Sequence, residues 1–146
     1  MNKYNIKKNV LILFSIICIT FGGLIYLIFR PRTLLMFYCI PNTFISKLDK
    51  LNYYINIKIN IPDFLIYNLP TALWTISYII FMQLIWYNNK GIYRFLWIYT
   101  FPFFLCLIEI LQIISFVPGT FDVLDILSYI LPIIISLMID FLYEKF

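Results

Sequence analysis

The sequence predicts an all-α integral membrane bundle of about four transmembrane helices, with an interfacial loop between the first and the second. Three observations carry this. Of 146 residues, 63% are hydrophobic and only 12% are charged, and the mean hydropathy is +0.92. A soluble domain has about a quarter charged residues and roughly half apolar, and a chain this short has too little interior to hide the excess from water. The apolar residues also gather into runs of about the 20 residues that a helix needs to cross a bilayer. Lys and Arg sit at the edges of those runs, so the formal charge of +4 suits an anionic lipid surface and not nucleic acid. A soluble globular domain and a disordered chain are both excluded. Residues 1–146 read as a single membrane domain.

The first span is Val10–Phe29, with no charge inside it. Lys3, Lys7 and Lys8 precede it, and Arg30-Pro31-Arg32 closes it. Its apolar core is too long for a cleaved signal peptide and no small-x-small site follows it, so it reads as an uncleaved signal anchor. Residues 33–69 mix apolar side chains with Pro41, Asn42, Lys47, Asp49, Lys50 and Asn52. Within them, Tyr54 to Ile61 alternates apolar and polar positions, which is a strand period. Irregular backbone cannot face lipid, so the segment is expected as an extracytoplasmic or interfacial loop lying partly on the membrane.

The second span, 70–87, opens on Pro70, a residue suited to the first turn of a helix. Trp74, Trp86 and Tyr87 stand near its ends as interfacial anchors. After the polar turn Asn88-Asn89-Lys90-Gly91, the third span covers 93–116 and contains Pro102, which predicts a kink. Pro118-Gly119 separates it from the fourth span, 121–142, which contains Pro132. Four spans put both termini and the Asn88–Arg94 turn on one side, with Lys3, Lys7, Lys8, Lys90, Arg94 and Lys145. The basic residues opposite lie mostly in a long loop, where the positive-inside rule weakens. Cytoplasmic termini and a plasma-membrane location follow.

A carboxylate deep in a bilayer costs roughly 2.5–3.5 kcal/mol on insertion scales. Glu109 lies inside the third span, with Gln112 one turn along on the same face. The Pro-Gly turn folds the fourth helix back, so Asp122 and Asp125 in its first turn should converge on that pair. Asp125, Tyr129, Pro132, Ser136 and Asp140 form one polar stripe at helical spacing; Thr71, Thr75 and Tyr78 form a shorter one. Thr120 or Asp122 can cap the fourth helix, and the helix dipole favours Asp125. Glu109 has no such structural explanation, because no Arg or Lys lies within its own hairpin. Glu109, Gln112, Asp122, Asp125 and Tyr129 are the candidate ligand-binding residues. The chain has no histidine, and Cys18, Cys39 and Cys106 show no zinc-type spacing, so no catalytic residue is assigned.

Glu109-Ile110-Leu111-Gln112, then Pro118-Gly119, then Asp122 and Asp125-Ile126-Leu127 resemble the signature of the VanZ-like family, over roughly residues 105–132. The resemblance implies a small multi-span membrane protein connected with resistance to a glycopeptide antibiotic, teicoplanin. Thr120 stands where the family commonly has Arg, and Tyr129 and Pro132 stand where it has Asn and Gly. The missing Arg leaves a metal ion, a lipid head group or a proton to balance the carboxylates. The expected function is a non-enzymatic envelope accessory protein, binding a lipid-linked precursor or a membrane protein partner, with no obligatory cofactor. Two alternatives stand beside it. One is an intramembrane enzyme holding a divalent cation on oxygen ligands, such as Mg²⁺ or Ca²⁺, and acting on a lipid. The other is a small transporter subunit, for which a homo-oligomer would be needed. The Gly22-Gly23 pair would allow the close helix packing of a dimer.

Overall fold

The structure, a computed structural model, describes residues 3–59, 61–89 and 91–144, apart from the side chains of 3–7, 35 and 139–144. Lys3, Lys7, Lys90, Asp140 and Lys145, used above for orientation or for the polar stripe, therefore have side chains outside the described residues. Among the described residues every regular element is helical: α1 (Lys3–Phe29), a short 3₁₀ turn (Leu35–Cys39), α2 (Asn42–Lys58), α3 (Asp63–Tyr67), α4 (Leu69–Ile85), α5 (Ile92–Ile113) and α6 (Val123–Glu144). Three stretches are long and apolar enough to cross a membrane: Lys8–Phe29, Asp63–Ile85 and Ile92–Ile113. The described apolar part of α6, Val123–Met138, is shorter.

The expected strand alternation at 54–61 gives way to helix. Residues 54–58 form the last turn and a half of α2. Ile45, Leu48, Asn52 and Ile55 follow a helical period of three and four, and Leu48 is buried. The Ile/Asn-rich sequence satisfies both periods. Among the described residues no partner strand is present to satisfy an extended backbone, whereas a helix pairs its own amides. The Asn56 side-chain amide donates to Asn52 Oδ1 at 2.6 Å, one turn away, which adds to the helical choice.

The helix ends follow from local chemistry. Pro31 disfavours helical backbone at the residue before it, and α1 stops at Phe29. Its last carbonyls, which lack intrahelical donors, are taken up by Arg32: the guanidinium donates to Leu27 O at 2.6 Å and Ile28 O at 3.2 Å. At the end of α5, the Ser115 N–H donates to Gln112 O and the Phe116 N–H to Leu111 O, with Ser115 at φ 55°. That pair of bonds is a Schellman ending, in which a left-handed residue closes the helix. Helices α5 and α6 run through Pro102 and Pro132 as single elements.

Helix α4 is the hub and packs against α1, α5 and α6. The side-chain ties set the directions. Ser15 meets Ser77 and Arg30 meets Tyr67, so α1 and α4 are antiparallel. The Tyr78 ring lies 4.9 Å from the Phe101 ring and the Trp86 ring 6.4 Å from the Trp97 ring, so α4 and α5 are antiparallel too. Asn68 meets Asp125 while Gln83 meets Ser136, which makes α4 and α6 parallel.

The interior is more polar than the exterior. Ser15, Asn68, Thr75, Ser77, Glu109, Ser128 and Ser136 are buried, against an apolar core of Ile79, Ile98 and Tyr99. Large apolar side chains point outward all along the helices; Phe103 is 63% and Ile113 58% exposed. That distribution inverts the soluble rule and suits a bundle solvated by lipid. On α1 the buried face is Ser15, Cys18 and Gly22. The Ser15 and Ser77 hydroxyls are 2.6 Å apart, and Ser77 Oγ also donates to Ser15 O at 2.9 Å. A Cβ on Gly22 would stand 2.8 Å from Trp74 Nε1 and 3.2 Å from Pro70 O, whereas Gly23 has nothing within 4 Å. Gly22 thus serves the α1–α4 contact inside one chain, so it does not supply a free dimerisation face.

Candidate functional site

Antiparallel packing brings four helix ends together at one end of the bundle: the close of α1, the start of α4, the close of α5 and the start of α6. Asn68, one residue before α4, is only 6% exposed. It occupies the position from which a side chain would ordinarily cap a helix, but it makes no such bond. Its amide instead reaches across to α6 and donates to Asp125 Oδ1 at 2.8 Å and to Asp122 Oδ2 at 3.3 Å. Bonds from an amide to an ionised carboxylate are among the stronger hydrogen bonds available to a side chain.

Asp122 does two jobs. Its Oδ1 accepts the Leu124 N–H at 2.9 Å, and its carbonyl accepts the N–H groups of Asp125 and Ile126. This is the N-terminal cap of α6 expected from the sequence. Asp125 sits in the first turn, where the helix dipole favours an anion. Between the two helices, Gly119 adopts φ +147° and packs directly on Gln112; a Cβ there would come within 2.8 Å of the amide carbon. Only glycine accepts that backbone conformation and that approach. With its amide turned so that the nitrogen faces only acceptors, Gln112 donates to Glu109 Oε2 at 3.3 Å and to Thr120 O at 2.9 Å.

Glu109 is 6% exposed. Its carboxyl meets the Asp122 backbone N–H and lies within electrostatic reach of Asp125. Tyr129, also 6% exposed, stands one turn below Asp125, near Glu109 and Cys106. The structure thus gathers Glu109, Gln112, Asp122, Asp125 and Tyr129 in one place.

Two residues complete the cluster that the sequence did not assign to it. Asn68 is the first. Arg30 is the second: its guanidinium lies 5.1 Å from the Tyr26 ring and 4.9 Å from the Tyr67 ring, and donates to Tyr67 O at 3.3 Å. Arg30 acts electrostatically on Asp125 and Tyr129 without forming an ion pair; among the described residues the ion pair found is Arg32–Asp49. The end of α1 thus brings a cation within reach of Asp125, at the end of the bundle far from Arg94. Position alone could have signalled it, since Arg30 follows the first long apolar helix at the end of the bundle where the α5–α6 hairpin turns.

Three carboxyl groups lie together here, with the Arg30 guanidinium within electrostatic reach of Asp125 and seated between the Tyr26 and Tyr67 rings. Such a site can accept hydrogen bonds and attract amines. Among the described residues no group of three or more acidic or thiol side chains is arranged to hold a metal ion. The chain matches no family model, no curated protein and no solved structure.

Proposed function

We propose that this is a small multi-pass membrane protein of VanZ-like type, a non-enzymatic envelope accessory protein that binds a lipid-linked ligand or a membrane partner through the Glu109, Gln112, Asp122, Asp125 and Tyr129 cluster. In this reading α6 is the fourth span, since its 22 residues extend about 33 Å at 1.5 Å per residue. The termini are cytoplasmic and the cluster opens at the outer boundary of the plasma membrane. A role in the response of the envelope to glycopeptide antibiotics such as teicoplanin belongs to the same proposal.

The observation that carries the proposal is the fork from Asn68 to both aspartates above a buried Glu109. Intramembrane carboxylates are retained where they face a partner or a ligand. Here the groups holding them are the amides of Asn68 and Gln112, which fix geometry and transfer no protons. That favours binding over catalysis. The test is native mass spectrometry of the protein in mild detergent, comparing wild type with Glu109→Gln and Asp125→Asn. A lipid adduct held by wild type and lost from both folded variants is expected. Identical adducts on all three would overturn the proposal, and a divalent-metal adduct lost with the carboxylates would replace it with the metal-dependent alternative.

A further inference from the structure

Helix α2 carries two adjacent stripes. Ile45, Leu48, Asn52 and Ile55 turn toward the body of the protein. One position behind each lie Phe44, Lys47, Leu51 and Tyr54, a series that Lys58 continues one turn on, and all five are exposed. Their steps of three and four place them on one face. At 100° per residue, Lys50 falls on the edge of the same arc, so all three lysines of α2 share about a third of its circumference. The other side of the helix holds Asn42, Ser46, Asp49, Tyr53 and Asn56, with no cation.

The height of this face is fixed by a chain of contacts. The Arg32 guanidinium binds the last carbonyls of α1 and, at 2.8 Å, Asp49 Oδ1 in the middle of α2. It also lies 4.6 Å from the ring of Phe37, which is 2% exposed. The midpoint of α2 is therefore held at the level where α1, an apolar helix of spanning length, comes to its end. That is the head-group zone of a bilayer. An exposed series alternating Phe, Leu and Tyr with lysines is the pattern of an interfacial helix, apolar side chains entering the acyl boundary and ammonium groups meeting phosphates. Lys58 Nζ lies 4.4 Å from the Tyr54 ring, so the cation and its aromatic neighbour already act as a unit.

We infer that α2 is an anionic-lipid-binding helix, seated on the bilayer through Phe44, Leu51 and Tyr54 with Lys47, Lys50 and Lys58 against acidic phospholipid head groups. The inference rests on the membrane reading above, but not on the carboxylate cluster. Its test uses the full chain with Cys18, Cys39 and Cys106 replaced, reconstituted into phosphatidylcholine vesicles with or without phosphatidylglycerol. An environment-sensitive fluorophore is attached at Leu51→Cys, Tyr53→Cys or Phe103→Cys, and quenching by lipid-borne nitroxides is read. The expected result is strong quenching at position 103 in both membranes. Quenching at 51 should rise with phosphatidylglycerol, 53 should stay in water, and the rise at 51 should vanish in Lys47→Gln/Lys50→Gln/Lys58→Gln. Quenching at 103 but none at 51, or a response at 51 indifferent to lipid charge, overturns this inference alone. No quenching at 103 overturns the membrane reading with it.

Discussion

At the scale of single residues, Asn68 and Glu109 play opposite parts. Asn68 ties the start of α4 to the start of α6 through two hydrogen bonds, and removing it leaves two carboxyl groups side by side without the amide that joins them. Interhelical hydrogen bonds in bilayers average about 0.6 and reach about 1.7 kcal/mol, so Asn68→Ala should cost about 1–2 kcal/mol, seen as a lower melting temperature in detergent. Among the described residues Glu109 has amide donors but no ion pair, and Glu109→Gln keeps its shape while removing a buried ionisable group. That variant should melt within about 1 kcal/mol of wild type while losing ligand. A melting point that falls further for Glu109→Gln than for Asn68→Ala would make Glu109 the structural member of the pair. The sequence exposes Glu109, Gln112, Asp122 and Asp125 because a Pro-Gly turn makes them neighbours. Asn68 is 54 and 57 residues from its partners, and a distance of that kind leaves no local pattern.

At the scale of elements, the α1–α4 contact is the most exacting. Its face of Ser15, Cys18 and Gly22 lets two backbones come close enough for Trp74 to lie on a glycine. Gly22→Val should cost about 1–3 kcal/mol through overpacking, whereas Gly23→Ala should be neutral or slightly stabilising because alanine is the better helix former. Thermal unfolding of the two variants in one detergent checks the contrast; equal losses would mean that both glycines are packed. The two glycines are adjacent and indistinguishable in the sequence, and only the register of α1 on α4 separates them. Helix α2 hid its nature differently. Its Ile/Asn alternation fits a period of two as well as a helical one, and a helix alone pairs its own amides there, with Asn56 bonded to Asn52 one turn back.

At the scale of the whole molecule, the legible property was polarity. Apolar runs and their basic borders gave the ends of α4, α5 and α6 and the close of α1 to within a few residues, but not α2 or α3, and the structure buries Ser15, Ser77, Ser128 and Ser136 while most described phenylalanines, Phe37 apart, face outward. The alternating directions of α1, α4, α5 and α6 make a topological prediction. Cys39 is exposed before α2, and Asn89 is exposed in the turn between α4 and α5; the two should lie on opposite sides of the membrane. A membrane-impermeant maleimide added to intact spheroplasts should label native Cys39. With Cys39→Ser, it should label Asn89→Cys only after permeabilisation. Labelling of both from outside would break the four-span arrangement.

The Ser15–Ser77 tie joins residues 62 positions apart, and this separation has a consequence in time. At a synthesis rate of about 5–20 residues per second, α1 emerges about 3–12 s before the part of α4 that covers it. During that interval the hydroxyl, thiol and bare glycine of its inner face have only acyl chains or a temporary escort as company. A slower ribosome would lengthen the wait, and replacing Ser15 with alanine would make it less hazardous while weakening the joint it eventually forms.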